Sequence, residues 1–518
     1  MKSAKLALMK KELTLSEAIA YVLSCLSRGQ VQDARNLLMK LPQDNVHVLL
    51  AHARLTYVEG DNQRAFEMTN RLLSAGNETC ETMAFMCYLL AKTGETAQVR
   101  PFLARLEDKT SASPQYWGDL AVVFYMGKNY VAALQCAQRS LKDDPERVEI
   151  WRVLGAAQRD SGNPRAAISS YFRALSLDPM HGESYLHLHV FFEEIGEFDK
   201  AAHFLNLAKA YGVNNQQLAL RDAHVLLKQG RLKEGFQKYR VRYDGVKISN
   251  SSPESRVPVW NGEEITDKDI LVYCEQGAGD VIQFSRFLIE LAARGAKVTF
   301  LCRKSLCRLI AQSIPQITVC ETVENPNAFD YQSYLMDLAI FMDISVQRMP
   351  HREGYLRAPY DGFQGLQTNE KPKIGFAWHG GAAHLRDHLR SIDLGQFADL
   401  FTLAHLDWVS LQVDANAPLP KGDHLIDVTD RLQDFGDTAA LIAKLDLVIS
   451  VDTAVAHLAA AMGKPVWLLL DQCADWRWQE ETTHSYWYDS IRLFRQQEFG
   501  NWQQVLKTVQ TTLREEYS

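Results

Sequence analysis

The sequence predicts an α-helical solenoid followed by an α/β region made of two doubly wound lobes. Between positions 117 and 212, aromatic, leucine and alanine positions recur at a period of ~34 residues, the length of one helix–turn–helix repeat. Beyond Asp244 the pattern changes to short β-branched runs alternating with helical stretches, and that alternation starts twice, at 269–274 and at 373–378. One stretch, 445–470 (LDLVISVDTAVAHLAAAMGKPVWLLL), contains a whole strand, loop, helix and strand.

The repeat region is expected over 15–243. Trp117, Trp151 and Tyr185 correspond, as do Leu120, Leu154 and Leu188, and Ala133, Ala167 and Ala201. Small residues let paired helices approach closely, the aromatics and leucines fill the space between them, and Asp144-Pro145 and Asp178-Pro179 stop the second helix of a pair. Divergent copies of the inter-helix turn occur at 28–34 (RGQVQDA), 59–65 (EGDNQRA), 93–97 (TGETA) and 228–239 (KQGRLKEGFQKY), giving an expectation of about six helix pairs. A stack of such pairs presents a concave surface suited to a protein or peptide segment.

A polar connector at 248–258 then leads to a first α/β lobe at 257–363, with strands at 269–274, 297–301 and 317–320 and a helix from about 280 to 294. After a second linker near 364–372, a second lobe at 372–512 has strands at 373–378 and 407–412 and helices near 394–402 and 438–444. Two such lobes imply a cleft between them, the architecture of a two-substrate enzyme.

Composition narrows the function classes. The chain has 518 residues, 47% apolar and 23% charged, with a net charge of −7. That balance gives no bulk attraction to nucleic acid or anionic membrane, so neither is an expected partner. Nine cysteines, an odd number scattered among apolar neighbours, read as buried free thiols of a reduced compartment. The N-terminal apolar run is too short for a signal peptide, and no apolar stretch approaches the ~20 residues of a spanning helix. A cytoplasmic protein with no transmembrane segment is expected.

Chemistry is concentrated at the ends of strands. Asp452 and Thr453 stand at the carboxyl end of the strand in 445–470, where open parallel sheets bind ligands. The N–H groups of the next helix start and the Thr453 hydroxyl suit a phosphate or pyrophosphate. Gly463 fits the C-cap of that helix. There is no GxGxxG or Walker A motif, and His384 and His388 lack the glutamate and third ligand of a zinc site.

The phrases EQGAGDVIQFSRF (275–287), WHGG with RDHLRSI (378–392) and DTAALIAKLDLVISVDTAVAHLAAAMGKPVW (437–467) resemble bacterial tetratricopeptide-repeat proteins carrying a glycosyltransferase domain. That domain is similar to the ADP-heptose lipopolysaccharide heptosyltransferases, which have two Rossmann-like lobes of the glycosyltransferase B type. Trp151, Leu154, Gly155, Ala167, Tyr171, Ala174 and Pro179 sit at tetratricopeptide motif positions. The array in front resembles that of protein O-linked N-acetylglucosamine transferases and flagellin-modifying transferases, which points toward a protein acceptor.

The resemblance implies roles residue by residue. Asp280 matches the aspartate near the acceptor hydroxyl, where a carboxylate accepts the proton as the sugar transfers; it also suits a helix N-cap. Gln276, Gly277, Gly279 and Gln283 form the acceptor-side loop, the glycines permitting a tight turn and the glutamines offering hydrogen bonds to sugar hydroxyls. On the donor side Asp452, Thr453 and His457 match the family's aspartate, threonine and histidine, with Ala454 in place of a common glycine. His457 fits either a donor contact or a core histidine. Arg386 and Arg390 are natural partners of a leaving diphosphate, and Gln412 lies where base or ribose is expected. Asp475 fits a sugar hydroxyl, while Trp476, Trp478, Trp487 and Tyr488 suit packing between the lobes ahead of stacking on a sugar.

The expected function is therefore metal-independent transfer of a sugar from a nucleotide-sugar donor, the co-substrate, to a hydroxyl. The expected acceptor is a Ser or Thr of a flagellin-like or other surface protein docked on the repeats, with no resident cofactor. Two alternatives are a lipid-linked or lipopolysaccharide acceptor, and a non-catalytic adaptor that only binds a nucleotide sugar.

Overall fold

The computed structural model describes residues 13–106, 113–213, 216–243, 257–360, 362–363, 365–366, 369–381, 387–413, 418–479 and 482–517. The connector at 248–256, positions 364, 367 and 368 of the second linker, and Arg386 lie outside them.

Seven antiparallel helix pairs occupy the described residues up to Tyr239, from Leu15–Ser27 with Val31–Leu38 to Gln216–Lys228 with Leu232–Tyr239, one more than the sequence suggested. In six of the seven turns a glycine takes a left-handed φ between 71° and 93°; in the fourth, Lys128 takes φ 59°. The repeat positions pack as expected: Ala133, Ala167 and Ala201 are buried, and a Cβ at Gly155 would stand 2.6 Å from the Tyr171 ring. Asp144 and Asp178 are the C-caps of their helices.

The chain divides into two compact units, one of residues 1–193 and 197–213, the other of 194–196 and 214–518. The seventh helix pair, which by sequence ends the array, thus belongs with the α/β region. Leu227, Leu232 and Phe236 lie in the same apolar core as Trp260, Phe284 and Trp476. The chain after it is tied down by Arg242, which donates to Glu275 at 2.9 and 2.8 Å and to Asp337 at 2.7 Å, all three buried.

The second unit contains two parallel sheets. The first has β1 (Asp269–Tyr273), β2 (Lys297–Leu301), β3 (Thr318–Cys320) and β4 (Tyr331–Tyr334) in the order β3-β2-β1-β4. The second has β5 (Lys373–Ala377), β6 (Asp407–Ser410), β7 (Leu425–Ile426), β8 (Leu447–Val451), β9 (Val466–Leu470) and β10 (Ile491–Arg495) in the order β10-β9-β8-β5-β6-β7. Burial on both faces makes β8 apolar except for Ser450: Leu447, Ile449 and Val451 pack with Trp408 and the helix Trp502–Glu516, Val448 with the opposite layer.

The helix expected over 280–294 is two helices, Ala278–Phe284 and Arg286–Ala293. Side chains compete for the carbonyls at the break. Ile282 C=O accepts from Ser285 Oγ and Tyr355 OH, both at 2.8 Å, and Gln283 C=O accepts from Arg286 Nε at 2.9 Å and Tyr355 OH at 3.1 Å. Arg286, wholly buried, also donates to the Trp487 carbonyl at 2.8 Å and the Pro350 carbonyl at 3.1 Å.

Candidate active site

β8 delivers the chain to Asp452, and Thr453 then stands in extended backbone as N-cap of the helix Ala454–Ala461. The Thr453 side chain makes no capping bond; its Oγ1 lies 3.1 Å from Ser450 Oγ. Helix start and hydroxyl face a cavity of about 970 Å³ whose lining includes Ala377, Gly380, Gln412, Thr453 and Ala454, at the carboxyl ends of β5, β6 and β8, and Ser305 from the first lobe. That position and volume suit a nucleotide, with an anion at the helix start. Gly463 follows the helix at φ 72°.

Gln412 is on the cavity wall, but its carbonyl oxygen turns inward and accepts from the N–H groups of Trp378 at 3.3 Å and His379 at 3.2 Å. It shapes the start of the loop after β5. That loop returns as a short helical turn, Asp387–Arg390. Arg390 pairs with Asp387 at 3.1 Å and donates to the Asp452 carbonyl at 2.8 Å, so it braces the loop between β8 and the helix Ala454–Ala461. Gly380 makes room for it: a Cβ there would stand 2.2 Å from Arg390 Nη2.

His457 is buried, with Nδ1 3.0 Å from the Tyr488 hydroxyl and Nε2 3.7 Å from Asp452 Oδ1. Burial, and then the Arg477 charge, bring its pKa down to about 3, so the imidazole is neutral at ordinary pH. Its ring stacks on Trp478 at 5.3 Å, and Trp476, Trp478, Trp487 and Tyr488 are all buried packing residues.

The acceptor-side loop follows β1. Gln276 is exposed at φ 60°, and its carbonyl accepts from Arg303. Gly277 is the N-cap of the helix Ala278–Phe284, and Asp280 stands at the third helical position, not at the cap. Asp280 Oδ2 accepts the Gly277 N–H at 2.8 Å. Gly279 does permit a close approach, but to protein: its Cβ would lie 3.0 Å from the His457 ring and 3.5 Å from Ala454 Cα. The two loops that the sequence placed on opposite substrates are therefore in contact.

Between them lies Arg477, which the sequence reading passed over. It donates to Asp280 Oδ1, to Asp475 Oδ1 at 2.8 Å and to Gln283 Oε1 at 2.6 Å, and its guanidinium lies 4.3 Å from the centre of the Trp476 ring. Gln283, expected at sugar hydroxyls, is instead fully buried with its carbonyl oxygen given to Arg477. Burial opposes ionisation of Asp475, but the adjoining guanidinium outweighs it and brings the carboxyl to about 2. Burial and Asp475 push Asp452 the other way, up from the usual carboxylate range. The signal in the sequence was an arginine set between two tryptophans in DWRW, a charge flanked by large apolar rings. Among the described residues no group of three or more His, Cys, Asp or Glu is placed to hold a metal ion, and no helix is long and apolar enough to cross a membrane.

Residues 427–470, which supply β8, the donor loop and β9, match the model of glycosyltransferase family 9 (heptosyltransferase). The match covers that segment of the second lobe, behind the array of helix pairs. Protein FlbA of Caulobacter vibrioides is 23% identical over 421 residues, 74% of this chain and 70% of that protein. The other relatives are shorter matches. The peroxisomal targeting signal receptor of Candida glabrata is 30% identical over 118 residues, 23% of this chain and 20% of the receptor. Tetratricopeptide repeat protein 8 of Caenorhabditis elegans is 24% identical over 161 residues, 30% of this chain and 32% of its own length. Among solved structures, MamA is 19% identical with a TM-score of 0.25, covering 31% of this chain and 93% of MamA. The Cut9-Hcn1 complex is 17% identical with a TM-score of 0.32, covering 42% of each chain. The family 9 match falls on the strand, loop and helix that wall the cavity.

Proposed function

We propose that this glycosyltransferase domain transfers a sugar from a nucleoside-diphosphate sugar to a hydroxyl, without a metal, in a cleft of the glycosyltransferase B type. The observation that carries this reading is the contact of Gly279 with His457 and Ala454, because it sets Asp280 beside the helix start that receives the diphosphate. Asp280 takes the acceptor hydroxyl proton as the oxygen bonds to the anomeric carbon; the bond from that carbon to the diphosphate breaks, and the nucleoside diphosphate leaves with the electron pair. The Thr453 hydroxyl and adjacent N–H groups hold that leaving charge, with Arg390 bracing Asp452 and Arg386, outside the described residues, as a further cation.

The acceptor we propose is a Ser or Thr of a protein, of the flagellin-like or other surface type, docked on the helix pairs. Support comes from the repeats themselves and from their likeness to a receptor named for the targeting signal it recognises. A cytoplasmic site of action accords with nine free cysteines.

The test is a thermal-shift screen of the full chain against ADP-, UDP- and GDP-sugars, repeated with Thr453→Ala and Arg390→Ala. A ligand at a hundredfold excess over its Kd stabilises the folded state by about 2.7 kcal/mol, so a true donor raises the midpoint visibly. The reading requires a shift with one nucleotide that both substitutions diminish. No shift with any of them at millimolar concentration removes it.

A further inference from the structure

From the geometry around Arg477, and resting on the transfer reaction just proposed, we infer that Arg477 is the positioning residue for Asp280. The guanidinium has five N–H donors in a rigid fork, and three of them are spread over Gln283, Asp475 and Asp280. Gln283 and Asp280 lie on the helix Ala278–Phe284 of the first lobe, while Asp475 and Arg477 lie after β9 of the second. One buried cation thus fixes the base of the acceptor side against the segment that follows the donor side.

The fork is itself held from three directions. The Arg477 backbone N–H donates to Asp475 Oδ1 at 3.1 Å, tying side chain and main chain to the same carboxylate. Trp476 lies under the guanidinium, and Phe236 of the seventh helix pair meets Trp476 edge-on at 5.6 Å. Beyond it, Arg495 donates to the Trp478 carbonyl at 3.0 Å and fixes the end of the turn. With the Gly277 N–H on Oδ2 and Arg477 on Oδ1, both carboxylate oxygens of Asp280 have a fixed direction before any substrate arrives.

Charge gives a second reason for an arginine here. Asp475, Asp280 and Asp452 all lie close enough to Arg477 to interact with its charge, and Asp452 directly precedes the Thr453 helix start. Without that cation the carboxylates would repel the donor and each other. Lysine, with one point charge, cannot span all three partners at once.

The experiment uses the full-length chain and the nucleotide sugar that gives the largest thermal shift, and measures release of nucleoside diphosphate when water takes the sugar. Arg477→Gln, Arg477→Lys, Asp475→Asn, Asp280→Asn and the double variant Asp280→Asn/Arg477→Gln are compared, with nucleoside-diphosphate affinity measured by calorimetry. A displaced base costs about 10²-fold. The expected pattern is a loss of about that size in kcat for Arg477→Gln, nucleoside-diphosphate Kd within about threefold of wild type, partial recovery with lysine, and a double variant no slower than Asp280→Asn alone. Asp475→Asn, which leaves both Arg477 and Asp280 in place, gives a smaller kcat loss and keeps the reading testable if Arg477→Gln does not fold. An active wild type with unchanged kcat in the Arg477 and Asp475 variants, or losses that multiply in the double variant, overturns the role of Arg477 alone. A wild type that binds nucleotide and releases nothing overturns the transfer reaction beneath it.

Discussion

Arg477 donates to Asp280 across 197 positions of sequence, joining the segment after β9 to the helix that follows β1. The pair brings the carboxylate expected to meet the acceptor within one guanidinium of the lobe expected to hold the donor. The proposed transfer depends on keeping that carboxylate directed and the neighbouring helix start open to an anion.

Gly380 is the place to test how Arg390 serves the donor. Since a Cβ at Gly380 would overlap Arg390 Nη2 and approach Asp387 Oδ1, Gly380→Ala must displace the arginine from the Asp452 carbonyl. A hydrogen bond from a charged group is worth about 1.5–3 kcal/mol. Calorimetry with the selected nucleoside diphosphate should show affinity weakened about tenfold or more, matching Arg390→Ala. An alanine variant that binds as tightly as wild type would mean that Arg390 is structural only.

His457 gives a pH dependence of definite sign. Its folded-state pKa, brought down to about 3, lies below the ordinary value near 6.5 that it regains on unfolding. Between those values the unfolded chain binds the extra proton, so the stability contributed by the neutral ring is complete above pH 6.5 and is lost as pH falls toward 3. Thermal midpoints of wild type and His457→Gln, measured from pH 8 to pH 5, should therefore move against the wild type on acidification. A constant difference would show that the ring titrates normally in the fold.

Arg286 is buried with carbonyl and hydroxyl partners, including Pro350, Trp487 and Tyr355. Arg286→Leu leaves those acceptors without their donor, and each unsatisfied buried group costs about 1–3 kcal/mol. Urea unfolding should report a loss of about 3 kcal/mol or more. A loss below about 1 kcal/mol would mean that water replaces the guanidinium.

In the array, Gly155→Ala forces a methyl group against Tyr171, and overpacking of this kind costs about 1–3 kcal/mol. Because residue 155 lies in the first compact unit and the cavity in the second, the substitution should lower the midpoint of the array while the nucleotide-dependent shift persists. Loss of the shift would show that the units unfold as one.

The repeats and the sheets were legible because their signals are local: period, β-branched runs, and glycines at left-handed turns. The end of the array was not. The turn at 228–239 looks like any other repeat turn, and only the partners of Leu227, Leu232 and Phe236, supplied by residues such as Trp260, Phe284 and Trp476, assign the pair to the α/β unit. Tyr355 breaks the expected 280–294 helix from 73 positions away, which no local propensity encodes. Thr453 and Asp280 stand out in the sequence because a strand end and a helix start mark them, and the fold puts both at helix starts. Arg477 and Gln283 act through contacts 194 and more positions apart, so the sequence showed a glutamine near a loop where the fold has a buried anchor.

The proposed transfer puts Asp280 and the Thr453 helix start in one reaction. Its most direct test follows nucleoside-diphosphate release from the selected nucleotide sugar by wild type and Asp280→Asn, together with the thermal shift each shows with that donor. Removing a general base costs about 10²–10⁴-fold, so Asp280→Asn should keep the full shift and lose turnover by that factor. Equal turnover in the two proteins, or loss of the shift along with the activity, would contradict the account.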